Sequence, residues 1–116
     1  MREYCPDRWV LLKVTHPEHG SAYKVFATWF GGYAGSDSWK LSSGTTNVIL
    51  DDEFDGLYYL PQYSGSTYLV RKENYGTNMY SHGVLTSWMK QLEGKPELGI
   101  IEIMDENFDL ASIPKL

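Results

Sequence analysis

The chain has 116 residues, of which 15 are acidic and 10 basic, giving a formal charge of -5 at pH 7. That length suits one domain with its own core. The charge opposes docking on a phosphate backbone, because Lys13, Lys24, Lys40, Arg71 and Lys72 are scattered rather than clustered. The single cysteine, Cys5, cannot form an internal bridge, and no apolar run reaches the length of a membrane span. Met1 is followed by Arg2, Glu3 and Asp7 rather than by a secretory signal, so the expected setting is a reducing cytoplasm, with neither membrane nor nucleic acid as direct partner.

Residues 8–15 and 22–30 are rich in β-branched and aromatic side chains and read as strands, joined into an antiparallel hairpin by the turn-forming His16-Pro17-Glu18-His19-Gly20-Ser21. Gly31-Gly32 ends the second strand, and residues 38–42 read as a third. Three more short strands are expected at 48–50, 57–60 and 67–71, separated by turn signals. A helix is predicted over about 78–92, where Leu85, Trp88, Met89 and Leu92 form an apolar stripe at three- and four-residue steps. Thr77 or Asn78 can cap it, and Gly94 and Pro96 stop it. Gly83 lies inside that helix at a cost of about 1 kcal/mol relative to Ala, which points to a late start or a close contact there. Residues 99–104 read as a last strand, and the acidic segment from about 105 onward reads as a peripheral tail. The expectation is a single α+β domain in which about six to seven short strands form one small twisted antiparallel sheet, packed by one helix.

Aromatic residues make up 15% of the chain, most of them Tyr. Trp9, Phe26, Trp29 and Trp88 fall in strong strand or helix patterns and read as core. Tyr33, Trp39, Tyr63 and Tyr68 flank turns instead. They belong to two copies of one pattern, Tyr33-Ala34-Gly35-Ser36-Asp37-Ser38-Trp39 and Tyr63-Ser64-Gly65-Ser66-Thr67-Tyr68. Rigid amphipathic rings beside adaptable Ser and Gly are the mixture of a recognition surface, although Gly and Ser also favour turns for local reasons. Between the two copies, Ser42-Ser43-Gly44-Thr45-Thr46 offers hydroxyls and backbone amides that can surround an anion, with Lys40 just before it. Together the three turns supply aromatic planes, hydroxyls and cations, the set needed for a base, a sugar and a phosphate.

Other chemistries fit the sequence less well. His16 and His19 flank Pro17 and Glu18, a spacing that gives no regular metal-binding face unless Cys5 or His82 joins it. Asp51-Asp52-Glu53-Phe54-Asp55-Gly56 begins like a calcium loop, but its twelfth position is Gln62, and an acidic turn between strands is the better reading. Ser36, Asp37 and His82 can be imagined as a triad, yet neither Gly-Ser turn has the Gly-x-Ser-x-Gly pattern of a nucleophile elbow. No phosphate-loop or dinucleotide fingerprint is present. No catalytic residue, metal or cofactor is therefore expected.

The run Pro6-Asp7-Arg8-Trp9-Val10, then Lys24-Val25, then Trp29 through Gly44 (WFGGYAGSDSWKLSSG), resembles a type of small protein encoded by tailed bacteriophages. Residues 63–68 and the helix around Trp88 are similar to that type as well, so the resemblance covers most of residues 6–92. It implies an accessory protein acting in the infected bacterial cytoplasm, and by analogy an antagonist of host defence. The leading expectation is a noncatalytic protein that sequesters a nucleotide-derived signalling molecule, with a homo-oligomer allowed. In it Tyr33, Trp39, Tyr63 and Tyr68 stack on or wall the ligand, Ser36, Ser42, Ser43 and Ser66 hydrogen bond to it, Lys40 or Arg71 meets phosphate, and Asp37 binds a base edge or ribose hydroxyl. Two alternatives stand beside it. One is an inhibitor whose acidic segments, Asp51 to Asp55 and Glu102 to Asp109, imitate nucleic acid and occupy a host nuclease. The other is a hydrolase of the same signal.

Overall fold

The computed structural model describes residues 3–31, 35–51 and 53–113. In chain order the elements are β1 (Glu3–Tyr4), β2 (Arg8–His16), β3 (Gly20–Trp29), β4 (Ser38–Leu41), β5 (Ile49–Leu50), β6 (Leu57–Pro61), β7 (Thr67–Arg71), α1 (Met79–Leu92) and β8 (Ile100–Ile103). The expected class, α+β, is what the chain adopts, but the strands form two sheets rather than one. β4-β3-β2-β8 is a fully antiparallel sheet, and β1-β7-β6-β5 is a second sheet in which β1 runs parallel to β7.

Alternation along β2 explains the layering. Successive side chains point to opposite faces of a strand. Trp9 and Leu11 therefore join Val25 and Ala27 on one face, where they meet Leu60, Tyr68 and Val70 of the second sheet. Val10 and Leu12 join Phe26 on the other face, where they meet Leu85 of α1. The first sheet is thus the middle layer, covered by a sheet on one side and by the helix on the other. Trp9 to Leu12 are all buried, so the run reads as continuously apolar and carries no alternation from which two faces could be separated.

The chain passes between sheets across Ser42–Thr46. Ser42 and Thr45 still donate backbone bonds to Val25 and Tyr23 of β3, at 2.9 and 2.6 Å, whereas Thr46 donates to Pro61 of β6 at 2.9 Å. Gln62 plugs this crossing. Its buried amide accepts from the Gly44 N–H at 3.1 Å and donates to Thr45 Oγ1 at 2.9 Å and to the Leu60 carbonyl at 2.8 Å.

The helix starts where a capping box forms: Asn78 Oδ1 accepts from the Ser81 N–H at 2.8 Å, and Ser81 Oγ accepts from the Asn78 N–H at 3.1 Å. Gly83 lies within the helix, and a Cβ there would have open space, so neither a late start nor a close contact accounts for it. Over its described residues, 104–113, the segment after β8 is not simply a peripheral tail. Leu110 and Ile113 are buried in the core between the sheets, and Phe108 stacks on Tyr23 with ring centroids 5.6 Å apart. Among the described residues no helix is long and apolar enough to cross a membrane.

Candidate functional site

β4 brings Lys40 to the edge of the interface between the sheets. Lys40 pairs with Ala27, a core residue of the face that meets the second sheet, so the two side chains share that face. Its ammonium lies 5.0 Å from the centre of the Tyr4 ring, a cation–π distance. Tyr4 in turn stacks on Tyr68, with centroids 5.1 Å apart and planes inclined by 30°.

Two turns close the same corner. The Tyr63 N–H donates to the Gly44 carbonyl at 2.9 Å, and the Ser64 N–H donates to Ser43 Oγ at 3.0 Å. Gly44 has φ of 141°, and a Cβ there would lie 2.6 Å from the Tyr63 ring, so only glycine lets the two turns approach this closely. Lys40, Leu41, Ser42 and Ser43 from one side, with Tyr4, Ser64, Ser66 and Tyr68 from the other, line a cleft of about 290 Å³. Tyr63 does not line the cleft: its ring lies against Gly44, next to the lining residue Ser43, and the residue is 58% exposed.

The hydroxyls of this cleft are polarised by their neighbours. Ser42 Oγ accepts from the Val25 N–H at 2.7 Å, as Ser43 Oγ does from Ser64. A serine oxygen that accepts from an amide keeps its own hydrogen to donate. With the Lys40 ammonium, the lining offers several donors and no carboxylate. Tyr68 is 1% exposed, and burial, with a smaller contribution from Tyr4, pushes its phenol up to about 12.

The expected site residues divide among several places. Lys40, Ser42, Ser43, Ser66 and Tyr68 share the cleft, with Tyr63 at its margin. Tyr68 offers no open ring face for stacking, since it is buried beneath Tyr4. Trp39 lies on the opposite face of the first sheet, stacked on Phe26 at 5.7 Å and edge-on to Trp88 at 4.7 Å. Asp37 accepts from the Gly31 N–H at 2.9 Å and from Asn78 Nδ2 at 2.7 Å, which ties its loop to the start of α1 rather than to a ligand. Ser36 is exposed in that loop, and a Cβ on Gly31 would run into its backbone. Tyr33 lies outside the described residues. Arg71 is at the far end of β7 and lines a separate groove of about 670 Å³ with Lys72, Glu53, Asp55, Glu73 and Glu106.

Tyr4 and Ser64 line the cleft without having been singled out in the sequence. Tyr4 occupies a two-residue strand, too short to leave a periodic signal. Ser64 lay within the repeated pattern, and its position in the turn was its one clue.

The remaining constellations have structural explanations. Asp51 accepts from the N–H groups of Glu53 and Phe54 at 2.8 and 2.9 Å and from the Tyr59 hydroxyl at 3.3 Å, so it organises its own turn. Those bonds, that from Phe54 foremost, hold its carboxyl below the ordinary 3.8. The His16 and His19 rings stack on each other at 4.6 Å, and His16 Nδ1 accepts from the Glu18 N–H. Among the described residues no group of three or more His, Cys, Asp or Glu side chains is placed to hold a metal ion. The Asp37 carboxylate contacts Gly31 and Asn78 rather than an imidazole, as a triad would require. Comparison with protein-family models, curated proteins and solved structures finds no match to this chain.

Proposed function

We propose that the protein is a noncatalytic binder that captures a small, anionic, nucleotide-derived molecule in the cleft between the sheets. The observation that carries this reading is the cleft lining: Lys40 and four serines, with no carboxylate, in a chain of net charge -5. A cleft that offers hydroxyl donors and a cation but no carboxylate, on an acidic protein, favours an anion over other polar ligands. The volume suits a phosphoryl group and its ester, and in this reading the exposed Tyr63, next to the lining residue Ser64, stacks on a base. The resemblance of most of residues 6–92 to phage-encoded proteins supports a biological setting in which this capture antagonises a host-defence signal.

Thermal-shift and calorimetric titration against adenosine monophosphate, adenosine-diphosphate-ribose and cyclic dinucleotides tests the proposal. At least one is expected to bind and raise the melting temperature, and Lys40→Glu is expected to remove binding without unfolding the protein. Failure of every one of these ligands to bind would overturn it.

A second reading, the acidic inhibitor of a host nuclease, is favoured by one feature. Glu53 and Asp55 from one acidic segment and Glu106 from the other line the same 670 Å³ groove. Arg71 and Lys72 interrupt that acidic surface. This reading predicts strongly salt-dependent binding to a basic protein, indifferent to Lys40.

A further inference from the structure

One residue of the cleft lining carries a buried polar group with no partner among the described residues. Tyr68 lines the cleft, is 1% exposed, and its hydroxyl makes no hydrogen bond among the described residues. Buried phenols ordinarily find a partner, because an unmade bond in a dry site leaves the hydroxyl's desolvation uncompensated. The ring has ample packing: Tyr4 covers it, and Leu60 is its cross-strand neighbour. Packing alone would therefore be served by Phe, and what Tyr adds at this position is the hydroxyl.

We infer that the Tyr68 hydroxyl is a specificity-determining donor of the cleft, kept for an oxygen of a bound phosphoryl group. The inference rests on the reading of the cleft as an anion site and adds the chemical class that the site selects. Its donors come from separate elements: Lys40 from β4, Ser43 and Ser66 from the two turns, and Tyr68 from β7. A tetrahedral phosphoryl group presents oxygens in several directions and can meet donors so dispersed. A planar carboxylate presents two oxygens in one plane and leaves part of the set unused. Burial keeps the phenol protonated until about pH 12, so it donates and does not repel an anion at any physiological pH. The hydroxyl is closed to solvent beneath its neighbours, so a ligand reaches it as Tyr4 shifts. Tyr4 sits on a strand held to β7 by two residue pairs, Glu3–Thr67 and Tyr4–Tyr68, and such short elements open with the least loss.

Calorimetric titration of adenosine monophosphate into the wild type, Tyr68→Phe and Lys40→Ala, with inorganic phosphate and acetate as competitors, tests the inference. Tyr68→Phe is expected to weaken binding about tenfold or more, as for a lost bond to a charged group. Its melting temperature without ligand should equal or exceed that of the wild type, because an unpartnered hydroxyl has been removed. Phosphate should compete and acetate should not. Wild-type affinity in Tyr68→Phe, together with weakened binding in Lys40→Ala, would overturn the role of Tyr68 and leave the anion site standing. A clear fall in the unliganded melting temperature of Tyr68→Phe would contradict it too, as would competition by acetate equal to that by phosphate. If the wild type binds neither adenosine monophosphate nor phosphate, the reading of the cleft fails and the inference falls with it.

Discussion

Gly35 to Trp39, the described part of the first Tyr-Gly-Ser pattern, and Tyr63 to Tyr68, the second, lie in different corners and treat their polar groups in opposite ways. In the first, Asp37 uses its carboxylate internally, one oxygen on the Gly31 amide and the other on Asn78 at the start of α1. In the second, Ser64 and Tyr63 lock onto Ser43 and Gly44 through backbone amides, and the serine hydroxyl hydrogens stay available beside Lys40. Similar residues therefore build a brace at one corner and a cleft at the other. What separates them is where the side-chain bonding capacity goes: consumed within the fold, it stabilises; left over beside a cation, it can bind.

Gln62 holds the second corner together. Gln62→Ala removes three buried hydrogen bonds and leaves the Gly44 amide unpaired under the cleft, which is expected to cost about 3 kcal/mol of stability in chemical denaturation and to abolish ligand binding. A loss under 1 kcal/mol with binding intact would show that the crossing does not depend on this plug. Asp37→Ala is the sharper contrast. It should cost about 1–2 kcal/mol through the loosened helix start, while affinity for the nucleotide stays within about twofold. If stability held and affinity collapsed, Asp37 would belong to the site and the two corners would not differ as described.

The smallest effect concerns acid. The Asp51 carboxyl is held below 3.8 in the folded chain by backbone N–H groups, so its contribution is fully present above that value and is lost as pH falls through the folded one. Asp51→Asn should therefore flatten the decline in melting temperature below about pH 4 and leave the profile at neutral pH nearly parallel to the wild type. An unchanged acid limb would show that Asp51 carries no such stabilisation.

Much of this arrangement is legible in the sequence where periodicity is strong. Leu85, Trp88 and Met89 mark the helix, and the observed Met79–Leu92 lies within a residue of the expected span. The long strands were legible for the same reason, but not their distribution between two sheets. Residues 9–12 are apolar on both faces, so period two is lost where it would have revealed the sandwich. Leu110 and Ile113 are isolated apolar residues in a short segment that opens with acids, and they carry no periodic sign of entering the core. For the site, Ser42, Ser43, Ser66 and Lys40 stood out because turns concentrate donors. Trp39 was separable from Lys40 in principle, since consecutive strand residues face opposite sides. Tyr68 was recognised by type, but its burial beneath Tyr4 depends on a parallel strand pairing across more than sixty residues, which no local pattern encodes.

The most direct test of the account is a backbone-amide NMR titration of the full chain with adenosine monophosphate. The account predicts perturbations concentrated at Lys40 to Gly44, Tyr63 to Ser66 and Tyr68, with Gly31, Asp37 and Asn78 unmoved. Perturbations centred on Asp37 and Asn78, or on the groove around Arg71 and Glu106, would contradict it.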